Sequence, residues 1–250
     1  MKTEWDYSDL ADAYLDRPPY AKEALAELYR LAGLKPGSLV CDIGAGVGHL
    51  TIPLLEAGFK VTAVEPNDAM RANGLKRTAQ YPGVNWVEAG GENTGQPGGY
   101  FDFVTFGSSF NVMDRAKALA ETHRLLKREG SFACLWNHRD LDDPVQKHIE
   151  NLIAEAIPNY DYGVRREDQS GVINSSGLFQ EVRTVTGRLL YMQKVEHTIA
   201  AWRSHATLNR QAGEKFEDIV NEISAYLKSL GRENIDIPYT TRAWWARKAG

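Results

Sequence analysis

The sequence predicts an α/β protein built on a doubly wound, mostly parallel sheet with helices on both faces. Three observations predict it. Residues 39–51, LVCDIGAGVGHLT, pass from a short apolar run through glycines at every second position into a helix-like stretch. A second apolar run, KVTAV at 60–64, ends in an acidic residue, Glu65. From there to residue 140 strand-like and helix-like segments alternate, as in successive βαβ units.

The elements follow in order. Residues 5–16 carry Trp5, Tyr7 and Tyr14 among acidic residues, and Arg17-Pro18-Pro19-Tyr20 interrupts any helix there. A helix resumes over 21–32, with Leu25, Leu28 and Leu31 along one face. Leu39, Val40, Cys41 and Ile43 read as a strand buried on both faces. Gly44, Gly46 and Gly48 form the turn after it, where a missing Cβ permits positive φ and lets a ligand approach the backbone. His49 to Leu55 would open a helix whose free N–H groups face that ligand. Strand two then reaches Glu65-Pro66-Asn67, where the acidic side chain can accept hydrogen bonds from both hydroxyls of a ribose. The plainer role for Glu65 is to cap the next helix, but Asn67 or Asp68 already supplies that cap.

Spacing separates two kinds of nucleotide site. Dinucleotide dehydrogenases require G-x-G-x-x-G. Here the third position is His49 and the last glycine falls one residue early, at Gly48. The resulting G-x-G-x-G, preceded by Asp42, resembles motif I of the class I S-adenosylmethionine (SAM) methyltransferases. The resemblance implies a Rossmann-like, seven-stranded, mostly parallel sheet with a helical N-terminal cover and a C-terminal lid. It implies SAM as cofactor, held by Asp42, Gly44, Gly46, Gly48 and Glu65, with Pro66 and Met70 near the adenine. Tyr14, Arg17 and Tyr20 lie in the leading segment that covers the cofactor in small-molecule methyltransferases, and ordinary packing explains them equally well.

The remaining strands extend the same pattern. VNWVE (84–88) is strand three, and the AGGENTG loop after it offers Gly91, Glu92 and Asn93 as adenine contacts or as a surface turn. FDFVTF (101–106) is strand four. Gly107, Ser108 and Asn111 at its tip should face the methionine part of the cofactor or the acceptor, because ligands of doubly wound sheets lie where strand order reverses. Asp114 caps a helix to Lys127, and the Arg128-Glu129-Gly130 turn stands where the family usually has Pro-Gly-Gly. His123, within that helix, is structural or solvated.

Strand five, 131–136, ends in Asn137-His138-Arg139-Asp140, the expected place for acceptor chemistry. Asn137 and Asn111 are candidate polar contacts to the reacting groups. His138 is a candidate general base, against the alternative of a histidine satisfied by its loop. Asp140, Asp142 and Asp143 could suggest an oxygen-ligated metal, as in catechol methyltransferases, but Asp143 as N-cap with Pro144 at N1 is the simpler reading, and no metal is expected.

Residues 144–157 and 216–230 have amphipathic helical spacing, and Thr198 reads as the cap of a helix holding Trp202, Arg203 and His205. Residues 178–192 are strand-like, 237–247 form a last strand, and Tyr160 and Tyr162 could line an acceptor pocket. Ser204 and the closing Tyr-Thr-Thr run resemble the trans-aconitate and ubiquinone-pathway subgroup. One domain, 1–250, is expected, with a core at about 35–140 and cover and lid segments around it.

Composition narrows the partners. With 250 residues, 43% hydrophobic and a net charge of −4, the chain can bury a core of its own and lacks the basic balance a phosphate backbone demands. No membrane partner is expected. Cys41 and Cys134 lie inside predicted strands, and the polar N-terminus has no signal-peptide pattern, so a cytoplasmic location is expected. Neither cysteine is placed as a nucleophile, and FGSSFN lacks the Asn/Asp-Pro-Pro-Tyr signature of amino methylation on bases. The expected function is methyl transfer to a small-molecule oxygen, nitrogen or carbon. Two alternatives stay open: cyclisation of the methionine side chain with release of methylthioadenosine, and a SAM-binding subunit without turnover.

Overall fold

The computed structural model describes residues 11, 13–161, 163, 166–203 and 205–250. Trp5, Tyr7, Tyr162 and Ser204 lie outside the described residues. Seven strands form one sheet: β1 (Leu39–Ile43), β2 (Lys60–Val64), β3 (Val84–Val87), β4 (Phe101–Gly107), β5 (Leu126–Arg139), β6 (Arg183–Lys194) and β7 (Asn234–Arg247). Their order is β3-β2-β1-β4-β5-β7-β6. β1 pairs in parallel with both β2 and β4, so strand order reverses at β1, with Asp42 opposite Ala63 on one side and Thr105 on the other. β2–β3 and β4–β5 are parallel as well.

Nine α-helices accompany the sheet among the described residues: α1 (Lys22–Leu31), α2 (Thr51–Glu56), α3 (Asp68–Thr78), α4 (Arg115–Leu125), α5 (Pro144–Ala156), α6 (Ser170–Ser175), α7 (Val195–Arg203), α8 (Ala206–Ala212) and α9 (Phe216–Ser229). The expected caps appear on three of them. Asn67 accepts from the Met70 amide at 3.0 Å, Asp114 from Lys117 at 3.2 Å, and Asp143 from Val145 and Gln146 at 3.1 and 3.0 Å. Asp143 with Pro144 at N1 thereby accounts for that acidic run as a helix start.

Two expectations are corrected. Thr198 lies inside α7 rather than before it; its hydroxyl donates back to the Lys194 carbonyl at 3.2 Å, as threonines within helices do. His205 is the cap of the next helix, its Nδ1 accepting from the Leu208 amide at 3.1 Å. Strand five is also longer than its apolar run. It begins at Leu126, directly after α4, and absorbs Arg128-Glu129-Gly130 through a register shift against β4 between Phe101 and Phe103.

The chain divides into two compact units. The first comprises residues 1–137, 167–187 and 241–250. Its core joins Cys41, Ile43, Val64, Phe106, Phe110, Phe132, Trp136 and Trp244, with inward faces of β1 and β4 wholly buried. A fully buried side chain of this size contributes about 1.5–3 kcal/mol. Asp102 fixes the start of β1 to β4, accepting from the Leu39 amide at 2.8 Å and from the Lys127 ammonium at 2.7 Å. Cys41 and Cys134 are buried free thiols, both pushed up by burial.

The second unit comprises residues 138–166 and 188–240. Its core is separate: Ile149 and Ile153 of α5, Ile199 and Trp202 of α7, and Ile219, Val220, Ile223 and Leu227 of α9. The spacing of those α9 residues, three and four apart, is the amphipathic stripe expected from the sequence. Among the described residues no helix is long and apolar enough to cross a membrane.

Candidate cofactor site

The site is built where β1 ends. Gly44, Gly46 and Gly48 all adopt positive φ, +68°, +56° and +86°. Each glycine has its own reason. A Cβ on Gly44 would stand 2.4 Å from the Ser109 Cβ, so only glycine lets the turn close on the tip of β4. A Cβ on Gly48 would meet Thr78 and Trp86 at 3.7 Å and Thr51 at 3.8 Å, all ordinary contacts, so there the backbone conformation alone selects glycine. At Gly46 nothing lies within 4 Å of the Cβ position, so the turn presents an open face there.

Four of the turn amides are bonded inside the protein. Gly44 and Ala45 both donate to the Val64 carbonyl, at 2.8 and 3.0 Å, and Gly48 donates to Ala45 at 2.9 Å. The Gly46 amide donates to Glu65 Oε2 at 2.8 Å, while Glu65 Oε1 accepts from the Asn67 amide at 2.8 Å. α2 starts only at Thr51 and is six residues long. The Gly44, Ala45, Gly46 and Gly48 amides are therefore engaged within the protein, and the Glu65 carboxylate lies beside the turn. Each carboxylate oxygen carries more than one lone pair, so both retain capacity to receive ribose hydroxyls. Glu65 is only 7% exposed, and burial raises its pKa above the usual carboxylate value against the pull of the two amides.

Asp42 lies beneath the turn, wholly buried. One carboxylate oxygen accepts from Thr51 Oγ at 2.7 Å and the other from Thr105 Oγ at 2.9 Å. It joins the first residue of α2 to β4 and so holds the base of the turn in place. Burial pushes its pKa up to about 6, in spite of the two hydroxyls.

The leading segment closes over the turn. His49, the residue standing where a dehydrogenase has its third glycine, bonds through Nε2 to the Tyr14 carbonyl at 2.6 Å. Burial holds the imidazole down at about 4, so it is neutral near pH 7 and Nε2–H donates to the carbonyl. Tyr14 packs with Ala11, Val47 and Met70, and the Arg17 guanidinium sits 3.7 Å from the Tyr14 ring centroid. Met70, 3% exposed, is thus packed between the cover and the turn. Pro66 is half-buried beside Glu65.

At the tip of β4, Ser108 has φ +60°, the one non-glycine residue with positive φ among those described. Such strain is held by surrounding bonds and collects at functional sites. Here the Ser108 amide donates to the Leu135 carbonyl at 2.9 Å and its hydroxyl pairs with the Tyr20 hydroxyl at 3.1 Å. A Cβ on Gly107 would lie 2.9 Å from that Tyr20 oxygen, so glycine there lets the phenol cross the strand tip. Burial pushes Tyr20 up to about 12, so it keeps its proton at neutral pH.

The loop after β3 is drawn inward. A Cβ on Gly91 would meet Met113 Sδ at 2.3 Å and Ile43 Cγ2 at 2.8 Å. Glu92 Oε1 accepts from the Asp114 amide at 3.0 Å, tying the loop to the start of α4, and Asn93 is exposed in a short bridge to Gly90.

The polar side chains proposed for acceptor chemistry are mostly committed elsewhere. Asn111 accepts from the Trp136 indole N–H at 3.0 Å. Asn137 donates to the carbonyls of Pro18 and Pro19, at 3.2 and 2.8 Å, and accepts from Thr241 Oγ at 2.5 Å. It is a clamp that pins the cover to the sheet, with both amide hydrogens taken by those carbonyls. Asn137 thus holds the cover in place, and Asn111 supports Trp136. His138 is half-buried on β5 and falls in the second unit. Among the described residues no His, Cys, Asp and Glu group is arranged to hold a metal.

Sequence reasoning assigned no contact to His49, Ser109, Met113 or Thr241. His49 had a signal, since it occupies the slot that breaks the dehydrogenase spacing. The others bond or pack across sequence separations that no local pattern carries.

Comparison with known proteins places this geometry. Residues 41–134 match the family described as "Methyltransferase domain". The ubiquinone/menaquinone biosynthesis C-methyltransferase UbiE of Methylobacterium nodulans is 30% identical over 191 residues, covering 68% of this chain and 75% of that protein. UbiE of Psychromonas ingrahamii is 27% identical over 146 residues, 56% of this chain and 58% of the relative. The chain thus spans between about half and three quarters of the curated relatives it matches. Among solved structures, a putative type II methyltransferase from Anaeromyxobacter dehalogenans aligns with TM-score 0.66 at 19% identity, over 92% of this chain and 97% of the other. A Haemonchus contortus phosphoethanolamine N-methyltransferase, solved with S-adenosylhomocysteine, aligns with TM-score 0.57 at 17% identity, over 97% of this chain and 58% of that one.

Proposed function

The chain belongs to the class I SAM-dependent methyltransferases, with SAM as cofactor, and from that premise we propose that it carries the methyl group to a small-molecule acceptor by in-line displacement. The observation that carries the reading is the Glu65 carboxylate bonded to the Gly46 amide beside the open face of the turn, where strand order reverses. When bound, SAM supplies an activated methyl on a sulfonium. The chain's own work is to bind, orient and exclude water. Glu65 accepts from the ribose, Gly46 admits the ligand to the backbone, and Tyr14 and Arg17 cover it. The strained Ser108 and its Tyr20 partner border the acceptor side. Holding the acceptor in line can supply about 7–11 kcal/mol of barrier reduction.

The relatives named as C-methyltransferases support a carbon acceptor within the oxygen, nitrogen or carbon class. The net charge of −4 supports a small molecule over a nucleic acid, and a cytoplasmic location suits the two buried free thiols.

Mass spectrometry of the pure protein incubated with SAM, alone and with panels of small acceptors, tests this reading. S-adenosylhomocysteine released only when an acceptor is present is the expected result. Methylthioadenosine formed with SAM alone, well above a boiled control, would overturn methyl transfer in favour of attack on the methionine chain.

A further inference from the structure

Arg71 stands in the first turn of α3, where a cation opposes the positive end of the helix dipole. Helix formation therefore does not call for it, but its bonds do. β2 ends at Val64, so the Glu65 carbonyl lies past the sheet ladder, and Arg71 Nη1 donates to it at 2.8 Å. Arg71 Nη2 donates to Glu88 Oε2, just beyond β3, at 3.0 Å, and to Asp68 Oδ1 in its own helical turn. One guanidinium thus joins the tips of β2 and β3 to the start of α3, all within the first unit.

These bonds differ in weight. The Asp68 and Glu88 side chains are 79% and 53% exposed, so water screens those pairs and they serve mainly to aim the fork. The Arg71 side chain is only 16% exposed, and its bond to the Glu65 carbonyl is part-buried. On its other side, the Glu65 amide donates to the Val87 carbonyl at 3.0 Å. With the Gly46 and Asn67 amides on its carboxylate, Glu65 is held through both main-chain groups and both side-chain oxygens. Arg71 is the partner that brings a full charge. Burial raises the Glu65 pKa, while the Asn67 amide, the Gly46 amide and the Arg71 charge lower it. The carboxylates nearby are Asp42 on β1, which Glu65 repels, and Asp68 and Glu88 on the Arg71 fork. Arg77, farther along α3, and the neutral His49 are turned to the Val47 and Tyr14 carbonyls.

We propose that Arg71 is a positioning residue of the cofactor site, holding the Glu65 carboxylate in place as the charged acceptor of the ribose hydroxyls. This deepens the methyl-transfer reading and rests on its assignment of the ribose to Glu65. Protonation turns one carboxylate acceptor into a donor, so SAM affinity falls as pH drops through the Glu65 titration. Removing the Arg71 charge takes away an influence that lowers the Glu65 pKa, so the fall then sets in at higher pH.

The test is calorimetric titration of the full chain with SAM between about pH 5 and about pH 8. Arg71→Met is expected to bind roughly tenfold more weakly at the upper pH, with the midpoint of its acid fall moved upward. Arg71→Lys keeps the charge and loses the fork; it should bind more weakly than the parent at the upper pH yet keep the parent's midpoint. Arg71→Gln, uncharged and still a donor, replaces the methionine variant if that one does not fold. The same shift should persist in an Asp42→Asn background, which removes the other buried carboxylate facing Glu65; a shift that vanishes there would overturn the proposal. So would affinity and midpoint unchanged in Arg71→Met, weaker binding with an unmoved midpoint, or a lysine midpoint that moves as far as that of methionine. Glu65→Gln separates the two levels. Weak SAM binding without the acid fall is expected of it. Parent-like affinity in Glu65→Gln would overturn the cofactor-site reading itself, whereas weak binding there beside a parent-like Arg71→Met would overturn the role of Arg71 alone.

Discussion

At the scale of single residues, two carboxylates set the properties of the site in opposite ways. Glu65 is the carboxylate proposed to receive the ribose, and its removal frees the Gly46 and Asn67 amides and takes away the acceptors offered to the sugar. Glu65→Ala is expected to weaken SAM binding by at least about 100-fold, roughly 3 kcal/mol, read by calorimetry. Gly46→Val should do the same by forcing a β-branched side chain into a positive-φ position. Asp42 works through burial. Its folded pKa of about 6 lies above the ordinary carboxylate value of 3.8, so between these the native state holds a proton that the unfolded state has already released. The group therefore favours the fold below about pH 4 and loses that contribution as pH rises through about 6, for a total of about 3 kcal/mol. Asp42→Asn should flatten this part of the stability–pH curve. Denaturant titrations at pH 4, 5, 6 and 7 measure it, and an unchanged slope between 4 and 6 would refute the assignment.

At the scale of elements, the leading segment and α3 are held by contacts the chain pattern does not announce. Asn137→Ala should lower stability by about 1–3 kcal/mol and speed amide exchange at Ala21, whose N–H donates to the same Thr241 hydroxyl at 2.8 Å. Unchanged exchange there would mean the clamp is idle. Gly74, inside α3, is a second case: a Cβ on it would lie 2.1 Å from Trp86, whose ring also flanks Gly48. Gly74→Ala gains helix propensity yet should cost about 1–3 kcal/mol by overpacking. Thermal unfolding decides the sign. These examples mark what could be read from sequence. The glycine turn, Glu65 and the caps at Asn67, Asp114 and Asp143 are local, carried by residues within a few positions of each other. The Asn137 clamp joins residues 104 to 119 positions apart, so a polar residue at a strand tip resembled a reactive one. Thr198 was misplaced because a threonine can cap a helix from outside or bond back to a carbonyl from within. Arg71 gave no signal until Glu65 and Glu88 were brought beside it.

At the scale of the whole molecule, two units have separate cores, and the glycine turn and Glu65 lie in the first. Ligand binding to a native site raises stability by mass action. SAM at 100 times its dissociation constant should add about 2.7 kcal/mol to the unfolding free energy of the unit that holds it. Calorimetric scans should show this shift in the parent and none in Glu65→Ala. A shift of equal size in both would place the cofactor elsewhere.

The two cysteines give the protein a built-in clock. Both sulfurs are at zero exposure inside β1 and β5 of the first unit, and burial keeps both thiols protonated. Thiolate is the reactive form, so an alkylating reagent has nothing to attack until those strands part. The rate at which iodoacetamide consumes Cys41 and Cys134 therefore times the opening of this sheet, and slower labelling with SAM present would weigh the cofactor's hold on it without any engineered probe.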